Sequence, residues 1–221
     1  MPQGKWFEYY CSFFNTVELN VTFYRTPQPK IFRGWHQRSP RRFRFAVKAP
    51  RLVTHFRRFH NVSDVVKSFY DLVSTNLADK LGPILFQLHP QTKFTPENLD
   101  RILQVLDPAF TNVLEFRHDT WWNDETAGIL REHGVTFCGI SHPELPDDIM
   151  GTAKTAYYRF HGVPELYRSA YTSRKLRSVF TTITNMKDIR EAYAYFNNDI
   201  DVAAVSNAIT LRRIVESQSE K

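Results

Sequence analysis

The sequence predicts an α/β fold, a β/α barrel, and two observations carry that expectation. Strand-like runs alternate with helical ones along the 221 residues, which implies parallel β/α units. At the end of strand after strand, polar residues stand two positions apart: Glu18/Asn20, Gln87/His89, Glu115/Arg117, Arg159/His161 and Asn197/Asp199, with Lys48 following Ala46. Side chains two apart share one strand face. In an open doubly wound sheet these groups would be spread along an edge. In a barrel they converge on the mouth formed by the strands' C-terminal ends, where barrel enzymes keep their sites. Seven strands are recognisable, so the count alone leaves both architectures open.

The elements follow in order. Lys5 to Phe14 reads as an aromatic-rich helix, Thr16 to Val21 as a strand, and Lys30 to Gln37 as a short helix ahead of Ser39-Pro40. Phe43 to Lys48 is the next strand, with Phe43, Phe45 and Val47 on one face and Arg44, Ala46 and Lys48 on the other. A loop with Pro50 and Thr54-His55 leads to a helix from Ser63 to Asp79, and Gly82-Pro83 punctuates before the strand Ile84 to Leu88. Pro96 opens a helix to Leu106 with Thr95 as its cap. The strand from Val113 turns charged at Glu115-Phe116-Arg117. A helix from Asp124 to His133 follows, ended by Gly134. Val135 to Ile140 is a strand, Pro143 to Met150 a loop, Ala156 to Phe160 a strand, and Ser173 to Phe180 a helix. Ala192 to Phe196 is the last strand and Val202 to Glu216 the last helix.

Composition narrows the class. A hydrophobic content of 42%, with 18 Phe and 10 Tyr, supports a large core and excludes wholesale disorder. The formal charge of +6 permits an anionic partner without demanding one. Cys11 and Cys138 belong to no metal or redox motif and suit a reducing compartment. No run of about 18 apolar residues occurs, and the start has no basic end followed by an apolar stretch. A cytoplasmic protein with no membrane partner is expected, with residues 1–221 as one domain.

The motifs Phe14-Asn15-Thr16-Val17-Glu18-Leu19-Asn20, Thr22-Phe23-Tyr24-Arg25, Phe45-Ala46-Val47-Lys48-Ala49 and Thr54-His55 resemble those of the YecE-like family, also called domain of unknown function 72. So do Leu81-Gly82-Pro83-Ile84-Leu85-Phe86-Gln87-Leu88, Glu115-Phe116-Arg117-His118 with Trp121, Tyr158-Arg159-Phe160-His161-Gly162 and Tyr195-Phe196-Asn197-Asn198-Asp199. The resemblance implies a TIM-like barrel and brings no catalytic assignment. Two departures stand out. Family members open with a strand similar to Gly-Thr-Ser-Gly-Trp, which this chain lacks, and that strand is the eighth missing from the count. A barrel short of it would expose the edges at Thr16–Asn20 and Ala192–Phe196, a route to self-association. Members also carry an Asp where Ser141-His142 stands here.

Glu18, Lys48, Gln87, Glu115, Arg117, Arg159, His161 and Asn197 form the candidate site, with Asn20 and Tyr24 as further binding residues. Buried ion pairs are a poor source of stability. So many polar groups at strand ends therefore point to function over a network that merely fills space. Arg117 and Arg159 present planar forks suited to carboxylate or phosphate, and their loss is expected to cost binding more than stability. Glu18 and Glu115 suit general acid or base roles, His161 a proton carrier, and Lys48 an anion holder or, less readily, a Schiff-base amine. A small-molecule anionic ligand is expected, with acid/base chemistry and neither metal nor cofactor. Two carboxylates and a histidine lie on separate strands, with no short ligand spacing between them.

A second constellation is basic and aromatic: Arg51, His55, Arg57, Arg58 and His60 after one strand, and Tyr167, Arg168, Tyr171, Arg174 and Lys175 after another. Such loops can hold nucleic acid. A solvated rim is the favoured reading, since no nucleic-acid motif is present. A ligand sensor without turnover is the third alternative. One of Trp121 and Trp122 is expected under the following helix and the other as a floor for a sugar-like ligand. His36, His89, His118, His133 and His142 read as structural or exposed.

Overall fold

The computed structural model describes residues 1–219 and divides into two compact units, Met1–Arg117 and His118–Lys221. In the first, a 3-10 turn at Gln3–Lys5 leads into α1 (Trp6–Phe13), β1 (Thr16–Leu19), α2 (Val21–Tyr24), α3 (Pro29–Arg38) and β2 (Arg44–Lys48). A π-helical turn at Leu52–Phe56 precedes α4 (Ser63–Leu77), β3 (Leu81–Gln87), α5 (Pro96–Leu103) and β4 (Asn112–Glu115). The four strands pair in parallel and in chain order. The second unit holds α6 (Asp124–Glu132), β5 (Thr136–Ser141), β6 (Thr155–Phe160), α7 (Ser173–Thr184), β7 (Glu191–Phe196) and α8 (Ala203–Ser219). Its three strands are likewise parallel. Seven parallel strands interleaved with helices make the α/β, TIM-like class of fold, and among the described residues no strand precedes α1.

Register decides which side chains meet the helices. In the first unit Val47 pairs with Ile84 and Phe86 with Leu114, so Phe45, Val47, Ile84, Phe86 and Leu114 share one face. Phe7 of α1 stacks on Phe45 at 6.1 Å, and Tyr70 of α4 lies 6.2 Å from Phe86, so this is the helix-packed face. All five strand residues are fully buried, each contributing about 1.5–3 kcal/mol. In the second unit Tyr158 and Phe160 pack with Leu176, Val179 and Ile183 of α7 and Ile214 of α8. The opposite face carries Cys138, Ile140, Tyr157, Arg159, Tyr193 and Tyr195.

Several boundaries differ from the sequence reading for local reasons. β1 stops at Leu19 because Val21–Tyr24 turns helical, its Thr22 hydroxyl reaching Leu19 O at 2.8 Å and Lys48 O at 2.6 Å. Gly82-Pro83 lies inside β3, not before it. There the β2–β3 register shifts, and a Cβ on Gly82 would sit 3.2 Å from Phe45 O. β4 ends at Glu115, leaving Arg117 beyond the strand. The Thr54-His55 loop is the π-helical turn. Thr95 caps α5 by accepting from Asn98 N at 3.1 Å, as read from Pro96.

Candidate functional site

Four sequence-selected residues share the face of the first unit's sheet opposite Phe45 and Phe86. Glu18 pairs with Ala46, two residues before Lys48; Lys48 pairs with Leu85, two before Gln87; and Gln87 pairs with Glu115. The alternation that buries Phe45 and Phe86 under helices therefore puts Glu18, Lys48, Gln87 and Glu115 on the other side, at C-terminal strand ends.

Lys48 is 8% exposed, so its ammonium has lost most of its water and depends on protein groups. It donates to Gln87 Oε1 at 2.7 Å and sits 4.3 Å from the centre of the Phe23 ring. The Thr22 hydroxyl creates that contact. By donating to the carbonyls of Leu19 and Lys48 it fastens α2 onto the end of β2 and brings Phe23 over the lysine. Glu115 is fully buried, and Arg117 donates to its Oε1 through Nε. Asn20 follows β1 and starts α2, and its Oδ1 is buried with no hydrogen-bond partner among the described residues. A buried acceptor in that state is a place where a ligand or water donates. Tyr24, by contrast, is 67% exposed, with the Arg51 guanidinium 5.8 Å from its ring.

The sequence reading overlooked the chemistry of His55 and His89. Their rings lie 5.3 Å apart, and the His55 ring is edge-on to Phe23 at 5.0 Å. Burial, then the positive groups His89, Lys48 and Arg117, push the His55 pKa down to about 4, against a smaller upward pull from Glu115. The imidazole is therefore neutral at pH 7. Its Nδ1 shares a hydrogen bond with Thr54 Oγ1 at 2.9 Å. Burial and Arg58 also lower the His89 pKa. The signal for His55 lay in its motif, Thr54-His55, but the neighbouring arginines put it among rim residues instead. A π-helical turn presents it, a rare conformation that is frequent at functional sites.

The second unit places the remaining candidates on its own strand ends. Arg159 is buried on the face opposite the helix core. Buried His161 has Nδ1 3.3 Å from Asn197 Nδ2, and its ring neighbours those of His142 and Tyr167, each at 6.0 Å. Trp121 is fully buried, while Trp122 packs edge-on to Phe137 at 5.2 Å.

Much of the expected basic rim is engaged. Arg168 pairs with Asp201 at 3.3 Å, Lys175 pairs with Asp147, and Arg58 donates to Gln91 at 2.9 Å. Tyr171 is buried rather than on a rim, its hydroxyl accepting from Gly162 N at 2.7 Å. Three of the histidines read as structural or exposed have partners: His36 pairs with Asp79 at 2.9 Å, His118 pairs with Asp119 at 2.9 Å, and His133 bonds Ile129 O. An open groove of about 620 Å³ runs along α7, lined by Ser173, Arg174, Arg177, Ser178, Thr181 and Thr182, none of them a residue selected for the site except Arg174 of the basic loops. Among the described residues no three His, Cys, Asp or Glu side chains gather as a metal site, and no helix is long and apolar enough to cross a membrane.

Comparison with known proteins places this geometry in a family. The chain is 33% identical over 114 residues to the UPF0759 protein YecE of Escherichia coli strain K12, a match spanning 50% of this chain and 41% of that protein. It is 25% identical over 171 residues to the UPF0759 protein YunF of Bacillus subtilis strain 168, spanning 69% of this chain and 60% of that protein. The fold matches the crystal structure of a DUF72 family protein from Thermotoga maritima MSB8 with a TM-score of 0.86 and 27% identity, over 98% of this chain and 91% of that one. A DUF72 family protein from Enterococcus faecalis V583, 18% identical, shares the fold with a TM-score of 0.80, over 96% and 94% of the two chains. The family described as Protein of unknown function DUF72 matches residues 1–221, and the chain belongs to it.

Proposed function

We propose that the protein binds a small polar anion, a phosphorylated or carboxylated sugar-like compound, at these strand ends and carries out acid/base chemistry on it. The observation that supports this most is the setting of Lys48. Its buried ammonium lies between the Gln87 amide and the Phe23 ring, and His55 beside it is kept uncharged in part by Lys48 and Arg117. Burial is the larger cause of that neutrality and opposes charge of either sign, but the share that comes from Lys48 and Arg117 favours an incoming negative charge. Asn20 Oδ1 offers an acceptor to a ligand hydroxyl, and Gln87 an amide. His55 is the proton acceptor in this reading. An arriving anion offsets Lys48 and Arg117, raises the imidazole pKa toward neutrality and so prepares the base as the ligand binds. Glu18, on the same sheet face, is the second acid/base group.

The test is a titration of the protein with inorganic phosphate, sugar phosphates and small carboxylates, followed by thermal shift and by the NMR signal of His55. At least one anion is expected to raise the melting temperature and to move the His55 titration upward from about 4. Lys48→Met should weaken that anion about tenfold or more, the worth of a charge-assisted hydrogen bond of roughly 1.5–3 kcal/mol. If no anion stabilises the protein and His55 titrates unchanged throughout, the reading fails.

A further inference from the structure

We infer that the anion this site takes is joined to a planar ring, mononucleotides being the class, and that Tyr24, Arg51 and Phe56 form the face on which the ring stacks. This rests on the anion reading above and extends it to the part of the ligand that Lys48 does not touch.

Tyr24 and Phe56 are each 67% exposed, an unusual placement for two large aromatic side chains on one small area of surface. Both rings are tied to one guanidinium: Arg51 lies 5.8 Å from the Tyr24 ring and 5.2 Å from the Phe56 ring. The arrangement is thus held without being covered. Aromatic faces flanked by arginine accept nucleobases by stacking and by cation–π attraction, with little preference among bases because every base has a π-face.

The position of this face relative to Lys48 is the second observation. The Phe23 ring is 4.3 Å from Lys48 Nζ and 5.1 Å from the Tyr24 ring, so the ammonium and the exposed tyrosine are neighbours of the same half-buried phenylalanine. Phe23 also touches His55, and the π-helical turn that presents His55 presents Phe56 as its next residue. The anion holder, the proton acceptor and the stacking face thus all meet around Phe23, within the span of one nucleotide. A bare sugar phosphate would leave both exposed rings unused.

Three probes separate this inference from the anion reading: inorganic phosphate, ribose 5-phosphate and adenosine 5′-monophosphate, each titrated against wild type, Tyr24→Ala and Phe56→Ala. Both substitutions remove exposed side chains, so melting temperatures should stay close to wild type. The nucleotide is expected to bind wild type about tenfold or more tighter than ribose 5-phosphate, the contribution of one stacked base. Each alanine variant should shrink that advantage several-fold while leaving ribose 5-phosphate affinity within about twofold. Equal affinities for the nucleotide and ribose 5-phosphate would overturn the inference and leave the anion reading standing. No binding by any of the three probes would remove both. A single-stranded oligonucleotide that binds ever more tightly as it lengthens beyond one residue, with a steep salt dependence, would replace the mononucleotide with a nucleic-acid groove.

Discussion

Single residues in this chain answer questions that their type alone leaves open. Arg117 reads from the sequence as a ligand-holding fork whose removal costs binding more than stability. Its guanidinium also pairs with Glu115, which no solvent reaches. Arg117→Ala therefore removes the counter-charge of a buried carboxylate, and urea unfolding should show a loss of about 3–5 kcal/mol. The double variant Glu115→Gln with Arg117→Met, which removes both charges, should recover most of it. A single variant as stable as wild type would show that the pair contributes little. Gly162 is a second case. Its φ is +94°, and a Cβ there would meet Glu165 O at 2.7 Å and Tyr167 N at 3.0 Å. Gly162→Ala should cost on the order of 1–3 kcal/mol. That conformational demand is the physical reason for a glycine directly after His161, and it cannot be read from one sequence without coordinates.

Elements show where sequence reasoning works and where it stops. Helix starts were legible wherever a capping side chain preceded a proline or a periodic run. Thr95 ahead of Pro96 is the clear instance, and Thr95→Ala should lower stability by about 1 kcal/mol, visible as a drop in melting temperature. Strand ends were less legible. Polar residues two apart continue the alternation past the last ladder bond, so the reading carried β4 to Arg117 although pairing ends at Glu115. The face they occupy was still right for Glu18, Lys48, Gln87 and Glu115, because parity needs only the strand period and not its end. The π-helical turn at Leu52–Phe56 left no such trace. Its residues have no periodic signature, its bonds are backbone bonds, and His55 was consequently placed with the charged loop rather than with Lys48. The Thr22 bridge was equally hidden, since one hydroxyl reaching both the Leu19 carbonyl and that of Lys48, 26 residues beyond Thr22 in the chain, has no local pattern.

For the whole chain, the burial of titratable groups predicts a stability profile with two falling sides. On the acid side, folded His55 has a pKa of about 4 against an ordinary 6.5, so between those values the unfolded chain takes up a proton that the native chain refuses. Stability from this group is complete above pH 6.5 and is lost as pH falls toward 4; His89, also lowered, adds in the same direction. Below that range, the bidentate Arg38 contact holds Glu8 at about 2 instead of 4.5, and Asp79 and Glu97 are also lowered, but these exposed groups are screened and contribute less. On the alkaline side the sign reverses. Burial raises Cys11 above its ordinary 9.0, Tyr10 from 10.0 to about 12, and Tyr70, Tyr158 and Tyr171 likewise above 10.0. The unfolded chain there loses protons that the native chain keeps, so stability falls as pH rises past 9. The melting temperature, followed by circular dichroism, should be highest and nearly flat between pH 6.5 and 9.0 and should decline on both sides. His55→Gln tests the assignment, because a side chain that cannot titrate should shallow the decline between pH 6.5 and 4 while leaving the alkaline decline as it was. A melting temperature that rises on acidification from pH 6.5, or an acid limb indifferent to His55→Gln, would mean that the native fold does not keep this imidazole neutral, and the proton acceptor assigned to the site would go with it.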